Sequence, residues 1–511
     1  MAIKHALSIT REQDFAAWYQ EVVREADMAE ESGVRGCMVI RPWGYGIWER
    51  IQQLLDREIK ASGYDNCYFP LFIPLGYFSK EAEHVDGFAK EMAVVTHHRL
   101  IGDGKGGLMP DPEAKLEEPL IVRPTSETVI GAAFSRWVQS WRDLPVRINQ
   151  WANVVRWEMR TRMFLRTSEF LWQEGHSAFA SADEAIEETM TMLGVYRDFA
   201  QDCVAIPVVA GEKPEHERFP GAVSTFSIEA MMQDGKALQA GTSHFLGTTF
   251  SEAQNIRYQD KEGGHALAQT VSWGMSTRMI GGLIMTHGDD DGLQVPPRVA
   301  PHQIVIVPML RDDEGDEAII TYCRSLGDEL KALSALGEPV RVHLDMRADK
   351  AANKRWGWVK KGAPVVIEVG GRDVAGGNVS VLRRDTLYKE DGKLNSAILP
   401  KADFVDRAAT ILEEMQAGLF ARATERMQNR IRRDIADMDA LQAYYESEKY
   451  PGWVEVQWSR PSGAGLDQIV EQLKALKLTM RNVPLDAADA DAQCFFTGEP
   501  AVERILIARA Y

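Results

Sequence analysis

The Pro-rich run PPRVAPHQIVIVPML at 296–310 divides the chain into two stretches with different patterning. After it, apolar β-rich runs alternate with helical ones: IVIVPM, a helix over 315–336, VRVHLD, a helix over 349–360, PVVIEVG and VSVLRRD. Strand and helix in turn predict a compact α/β domain. Before it, residues 120–290 hold strand-like runs such as RINQWANVVRWEM and TVSWG without regular alternation, which predicts an α+β domain on an antiparallel sheet. Two amphipathic helices lead into that region. One spans 10–31, with Phe15, Trp18, Tyr19 and Val22 at helical spacing behind a Thr10…Gln13 capping-box pattern. The other spans about 44–61, with Ile47, Ile51, Leu54, Leu55 and Ile59 on one face, and YDNCYFP follows as an extended segment. Residues 401–446 read as one long helical stretch and 450–511 as a mixed terminal module.

Composition excludes several classes. The sequence has no apolar run of about 18 residues, so no membrane-spanning helix is expected. Its start, MAIKHALSITREQDF, lacks the apolar centre of a signal peptide. The five cysteines, at 37, 67, 203, 323 and 494, never form CxxC and suit reduced thiols in the cytoplasm. The net charge of −17 argues against a nucleic-acid partner on average, so any such partner must be met by local positive charge.

Residues 147–176, RINQWANVVRWEMRTRMFLRTSEFLWQEGH, place Arg147, Arg156, Arg160, Arg162 and Arg166 close together. On charge alone this is equally a solvated, salt-bridged hairpin. Order adds a second reading. A strand carrying Arg156 and Glu158 at i and i+2 turns both to one face, where a forked cation beside a carboxylate can grip a phosphate together with a base or amine. Phe170, Trp172 and His176 on the return form a flat apolar wall.

VVRWE with the returning FLWQEGH resembles motif 2 of the class II aminoacyl-tRNA synthetases. RPTSETVI at 123–130 and GTSHFLG at 241–247 resemble amino-acid-binding segments of the prolyl-tRNA synthetase family, and 272–301 resembles its motif 3. YDNCYFP resembles motif 1, the dimer-forming element. EVGGRD and VLRRDT within 368–386 resemble the anticodon-binding domain, and the terminal ARAY is similar to archaeal/eukaryotic-type members.

The resemblance implies an α+β class II catalytic domain over 1–295, an antiparallel sheet flanked by helices. An α/β anticodon-binding domain over 300–398 and a small C-terminal α+β domain over 401–511 would follow. It implies a homodimer acting on L-proline, ATP with Mg²⁺, and tRNA(Pro). Arg156 and Arg278 would be catalytic. Thr125, Glu127, Arg156, Trp172, His176, Phe219 and His244 would hold proline. Arg156, Glu158, Arg166, Thr167, Phe170, Gln239, Thr242, Ser276 and Arg278 would hold ATP, with adenine between Phe170 and Arg278. Taken alone, TSE is an ordinary helix N-cap, and His176 and His244 are ordinary packing residues. Both histidines are read as pocket residues and not as bases. Bacterial-type relatives carry an editing insertion between motifs 2 and 3. Here Glu158 and Trp273 are 273 − 158 = 115 positions apart, already filled by synthetase segments, so no insertion is expected. A structural zinc needs about four Cys/His ligands, and 450–511 offers Cys494 alone, so no zinc is expected there. Packing of Trp453, Trp458, Phe495 and Phe496 would hold that module instead.

For RNA, residues 341–361 carry seven Lys/Arg against two Asp, with Trp356 and Trp358 interleaved. That composition suits unstacked anticodon bases and equally suits a solvated helix with buried tryptophans. Trp356, Lys360, Lys361 and Arg372 are the anticodon candidates, and Arg422, Arg426, Arg430 and Arg433 form a second basic stripe on an expected 401–435 helix. A class II synthetase for another amino acid, such as threonine, and a non-catalytic RNA-binding paralogue are the alternatives. A threonyl site would read its substrate's hydroxyl with zinc, and no Cys/His ligand set stands near motif 2.

Overall fold

The structure is a computed structural model, and it describes residues 5–79, 91–311, 314–486 and 492–511. Near the N-terminus lie helices α1 (Phe15–Glu25) and α2 (Pro42–Ala61). Helix α1 is shorter than the sequence pattern suggested. Asp14 caps it by accepting from the backbone N–H groups of Ala16 and Ala17, and the Thr10–Gln13 pair closes the turn before it. In α2, Ile47, Ile51, Leu54, Leu55 and Ile59 are buried as the spacing required.

The central element is an eight-stranded sheet. Its strands are β1 (Asp65–Asn66), β2 (Val146–Val155), β3 (Glu169–Phe179), β4 (Val208–Glu212), β5 (Ser224–Met231), β6 (Ala237–Gly247), β7 (Gln269–Ser276) and the later β16 (Val483–Pro484). Their order across the sheet is β16-β4-β5-β6-β7-β3-β2-β1. Every adjacent pair is antiparallel except β1 with β2. Helices α3 (Glu127–Trp137), α4 (Ala182–Asp198) and α5 (Arg278–His287) flank it. Trp273 of β7 packs on the face away from the cleft. A Cβ at Gly175 opposite would stand 1.9 Å from its ring, so only glycine fits there.

The middle domain has the order β9-β8-β10-β11-β12, with β8 (Ile304–Pro308), β9 (Val342–Leu344), β10 (Val365–Val369), β11 (Asn378–Arg383) and β12 (Ser396–Pro400). β8 is parallel to β9 and β10, and the other pairs are antiparallel. Helices α6 (Asp316–Lys331), α7 (Ala351–Lys361) and α8 (Lys401–Gln428) complete it.

Two expectations need correction. The 401–446 stretch is not continuous: α8 stops at Gln428, a short strand β13 (Ile431–Arg432) follows, and α9 (Met438–Ser447) starts behind Asp437. The basic stripe is therefore not one helical face. Arg426 donates to the Thr286 carbonyl, and Arg430 donates to the carbonyls of Gln233 and Tyr450. Strand β2 likewise ends at Val155, so Arg156 and Glu158 lie beyond it and not on a strand face. The C-terminal module adds β14 (Trp453–Trp458), α10 (Gly463–Ala475), β15 (Thr479–Met480) and β17 (Glu503–Ala508), ordered β13-β14-β17-β15.

Candidate active site

Period two builds the floor. On β3, Phe170, Trp172, Glu174 and His176 turn one way into a cleft. Register carries that face across the sheet: Trp172 opposes Ser276, Glu174 opposes Gly274 and His176 opposes Ser272. Thr242 and His244 of β6 then oppose Gly274 and Ser272, and Thr225 of β5 opposes His244. From outside the sheet, Thr125, Glu127, Arg156, Phe219 and Arg278 close the walls.

Arg123 fixes the RPTSE segment. It is buried and donates to the carbonyls of Asn153 and Phe69 and to Asn153 Oδ1. Ser126 sits at the N-cap of α3, yet its hydroxyl donates to Glu174 Oε1 at 2.5 Å instead of to the helix. The Thr125 hydroxyl donates to Glu127 Oε2.

The two pocket histidines are shifted in opposite directions. Burial disfavours an imidazolium at His176, but the Glu174 carboxylate 3.0 Å from its Nε2 outweighs this and raises its pKa. Glu174 is held low in turn. Burial opposes its charge, and His176, Ser126 and Gln150 overcome that. At His244, burial and the nearby charges of His176 and Arg156 push the pKa down to about 3. That ring is neutral and tilts against Phe219 with centroids 4.6 Å apart. Neither suits a general base near neutrality: the Glu174 carboxylate holds one toward its cationic form, and the other is too weak.

Arg156 donates Nε to the Pro124 carbonyl at 2.9 Å, and its guanidinium carbon lies 5.7 Å from the Phe170 ring and 5.4 Å from that of Trp172. Arg278 donates Nε to the Leu165 carbonyl at 3.1 Å, and burial with the nearby Arg156 and Arg166 charges brings it down to about 10, so it stays cationic. These two arginines, with Phe170 and Ser276, also line an outer lobe of about 880 Å³ that Glu158, Arg166 and Thr167 complete. Arg166 pairs with Glu158 at 3.2 Å. Trp172 Nε1 and Ser272 Oγ are buried with no hydrogen-bond partner among the described residues, so both can serve a ligand.

The site residues expected from sequence thus fall in two groups. Thr125, Glu127, Arg156, Phe170, Trp172, His176, Phe219, Gln239, Thr242, His244, Ser276 and Arg278 line the inner lobe, whereas Glu158, Arg166 and Thr167 line the outer one. Sequence reasoning missed Glu174 and Ser272. Glu174 was open to detection, since it stands at i+2 between Trp172 and His176. It also missed Glu91 at the outer lobe, which no local pattern marks, and Tyr511, whose terminal ARAY was read as a mark of type and not as a site residue.

The RNA candidates lie elsewhere, and two of them form ion pairs within the chain. Lys360 Nζ donates to Glu25 at 2.7 Å and Lys361 pairs with Asp27 at 2.9 Å, because α7 packs beside α1. Trp358 is buried and donates to Asp345, and Trp356 is partly buried against the main core. Arg341, Arg347, Lys354 and Arg355 each bond a carboxylate or carbonyl of this chain as well. Arg372 is exposed.

Comparison with known proteins supplies the family. Residues 112–287 match the model of the tRNA synthetase class II core domain (G, H, P, S and T), and 303–399 match the anticodon binding domain. The chain is 75% identical over 510 residues to proline–tRNA ligase of Sphingomonas elodea, covering all of both chains. It is 72% identical to the same enzyme of Sphingopyxis alaskensis, covering 100% of this chain and 96% of that one. A crystal structure of prolyl-tRNA synthetase from Cryptosporidium parvum, complexed with L-proline and AMP, superposes with a TM-score of 0.86 at 33% identity, covering 99% and 97% of the two chains. A class II catalytic sheet followed by an anticodon-binding domain, with relatives this similar over their whole length, makes the chain a member of the prolyl-tRNA synthetase family.

Proposed function

We propose that this chain joins L-proline to tRNA(Pro) in two steps. Proline and ATP first give prolyl-adenylate and pyrophosphate, and the 3′ end of tRNA then takes the prolyl group. The observation that carries this reading is the junction of the two lobes at Arg156, Phe170, Ser276 and Arg278. An amino acid in the inner lobe and a nucleotide in the outer one meet there.

The proline ammonium faces Thr125 and Glu127, and its ring lies among Trp172, His176, Phe219 and His244. Its carboxylate is ionised at neutral pH and needs no base to attack the α-phosphorus. Arg156 orients that carboxylate against the α-phosphate and balances charge as the bond to pyrophosphate breaks. Arg166 holds the distal phosphates. Phe170 and Arg278 hold adenine, and Glu158, Thr167, Gln239, Thr242 and Ser276 complete the nucleotide contacts. The outer lobe presents the carboxylates of Glu91 and Glu158, the oxygen donors Mg²⁺ prefers, so its residues fit that ion. Glu158 would hold it, and the ion would offset the charge of the departing pyrophosphate.

The domain division 1–295, 300–398 and 401–511, and the archaeal/eukaryotic type without an editing insertion, belong to the same reading. The 33% identity to the Cryptosporidium enzyme over 99% of this chain supports that type. An apolar slot rejects a smaller amino acid by only about 1–3 kcal/mol per methylene, so alanine enters to a measurable extent. Exposed Tyr68 (71%), Phe72, Leu75, Val94 and Leu108 (72%), on and around the small sheet formed by Phe72–Pro74, Lys115–Val122 and Ala93–His97, suit a homodimer interface. All five cysteines are unpaired, which suits the cytoplasm. The C-terminal module is read as standing without zinc: Cys494 is buried, and Phe496 packs edge-on against Trp458 and Phe495. Arg372 is the remaining exposed candidate for anticodon contact.

Proline-dependent ATP–pyrophosphate exchange tests the reading. Dimeric, folded protein that shows none overturns it.

A further inference from the structure

Beyond the cleft, a buried charged cluster that the mechanism does not use lies behind its inner wall. Glu229 on β5 is fully buried. Lys213 Nζ reaches its Oε1 at 3.1 Å, and Arg481 of the C-terminal module reaches its Oε2 at 2.9 Å. Burial opposes the charge of Glu229, and the two cations hold its carboxyl down to about 2. Lys213 is buried too and lies 3.9 Å from Glu217, which lines the inner lobe two residues before Phe219.

The segment from Lys213 to Phe219 leaves β4 and forms the inner wall. Its two ends are tied to one residue: the Lys213 N–H donates to the Thr225 carbonyl, and the Phe219 N–H donates to the Thr225 hydroxyl, itself 3.1 Å from His244 Nδ1. The C-terminal module grips the start of this segment three times. β16 pairs with β4, where Glu212 opposes Val483. Asn482 donates to the carbonyls of Val209 and Ser227. Arg460 bridges Glu212 and Glu503.

We infer that Arg481 is a positioning residue for the proline side of the active site. Through Glu229 and Lys213 it fixes the 213–219 wall, so the C-terminal module sets proline affinity without touching proline. A route through that wall predicts a larger effect on proline than on ATP, because the 213–219 segment carries Phe219 of the proline pocket, while Glu229 reaches the nucleotide contacts only through its cross-strand neighbour Gln239. The inference rests on the proposed function, and one assay separates the two. Full-length Arg481→Met should fold, because Glu229 keeps Lys213 as its partner ion.

In proline-dependent exchange it should raise KM for proline about tenfold while KM for ATP changes less than about twofold, and Arg481→Lys should raise the proline value about threefold. If Arg481→Met does not fold, the Arg481→Lys value decides. An unchanged proline KM, equal changes in both KM values, or a lower kcat with both KM values intact overturns the inference, since the last marks only a smaller folded fraction. A wild-type chain without exchange counts against the function and not against the relay.

Discussion

Residues 147–176 and 341–361 look alike as sequence, each a cluster of cations with aromatics between them. The fold uses them in opposite ways. In the first, Arg156 is anchored through Nε to the Pro124 carbonyl at the wall of a cavity where aromatic rings and buried donors converge. In the second, most of the cations are paired within the fold. Lys360 and Lys361 clasp α1, Arg355 pairs with Glu368, and Arg347 pairs with Asp345. Whether a cation serves a ligand or the fold depends on the carboxylates that the topology brings within reach, and local composition does not record those.

Removing a cation at the cleft should therefore cost function, and removing one at the clasp should cost stability. Arg156→Ala is the largest test. It should lower the exchange rate by about 10³-fold or more while the melting temperature stays near wild type, because the guanidinium is aimed at charge that develops during the reaction. A residual rate within tenfold of wild type would break the contrast.

Glu174→Gln comes next, with an expected rise in proline KM of roughly ten- to a hundredfold. The carboxylate supports His176 as a cation, and the sign of its pH effect follows from the shifts. The raised pKa of His176 gives stabilisation that is complete below its unfolded value and lost as pH climbs through the folded one. The lowered pKa of Glu174 gives stabilisation lost only as pH falls through its folded value. Proline affinity should thus decline on the alkaline side in the wild type. In Glu174→Gln that decline should move to lower pH, and exchange kinetics across pH would show it. An unmoved profile would mean the pair does not govern binding.

How much was legible beforehand follows the same line. The antiparallel and α/β halves, the 296–310 junction and most of the inner lobe could be read, because strand periodicity and short motifs are local. Helix ends were misjudged: α8 stops where β13 joins β14, and α1 starts at Phe15 behind its local cap Asp14. The spacing of Glu174 between Trp172 and His176 marked its face, but its role shows only once its partners Ser126, Gln150 and His176 are assembled around it. The contribution of Arg481 to the catalytic sheet has a partner 252 residues away, and nothing local encodes it.

The smallest expected effect sharpens the contrast from the other side. Lys360→Ala and Lys361→Ala each remove a half-buried pair between α7 and α1, worth about 0.5–1 kcal/mol. Asp27→Ala with Lys361→Ala should show coupling in a double-mutant cycle of thermal or denaturant unfolding, because the two side chains meet at 2.9 Å. Exchange should stay within about twofold of wild type in all of these, since the clasp lies outside both lobes. Charging of tRNA should also change little with Lys361→Ala, whereas Arg372→Ala, at an exposed position, should raise KM for tRNA by about two- to fivefold. A Lys361→Ala enzyme that exchanges normally, unfolds normally and loses tRNA charging would return that lysine to the RNA, and would show that its pair with Asp27 opens when RNA binds.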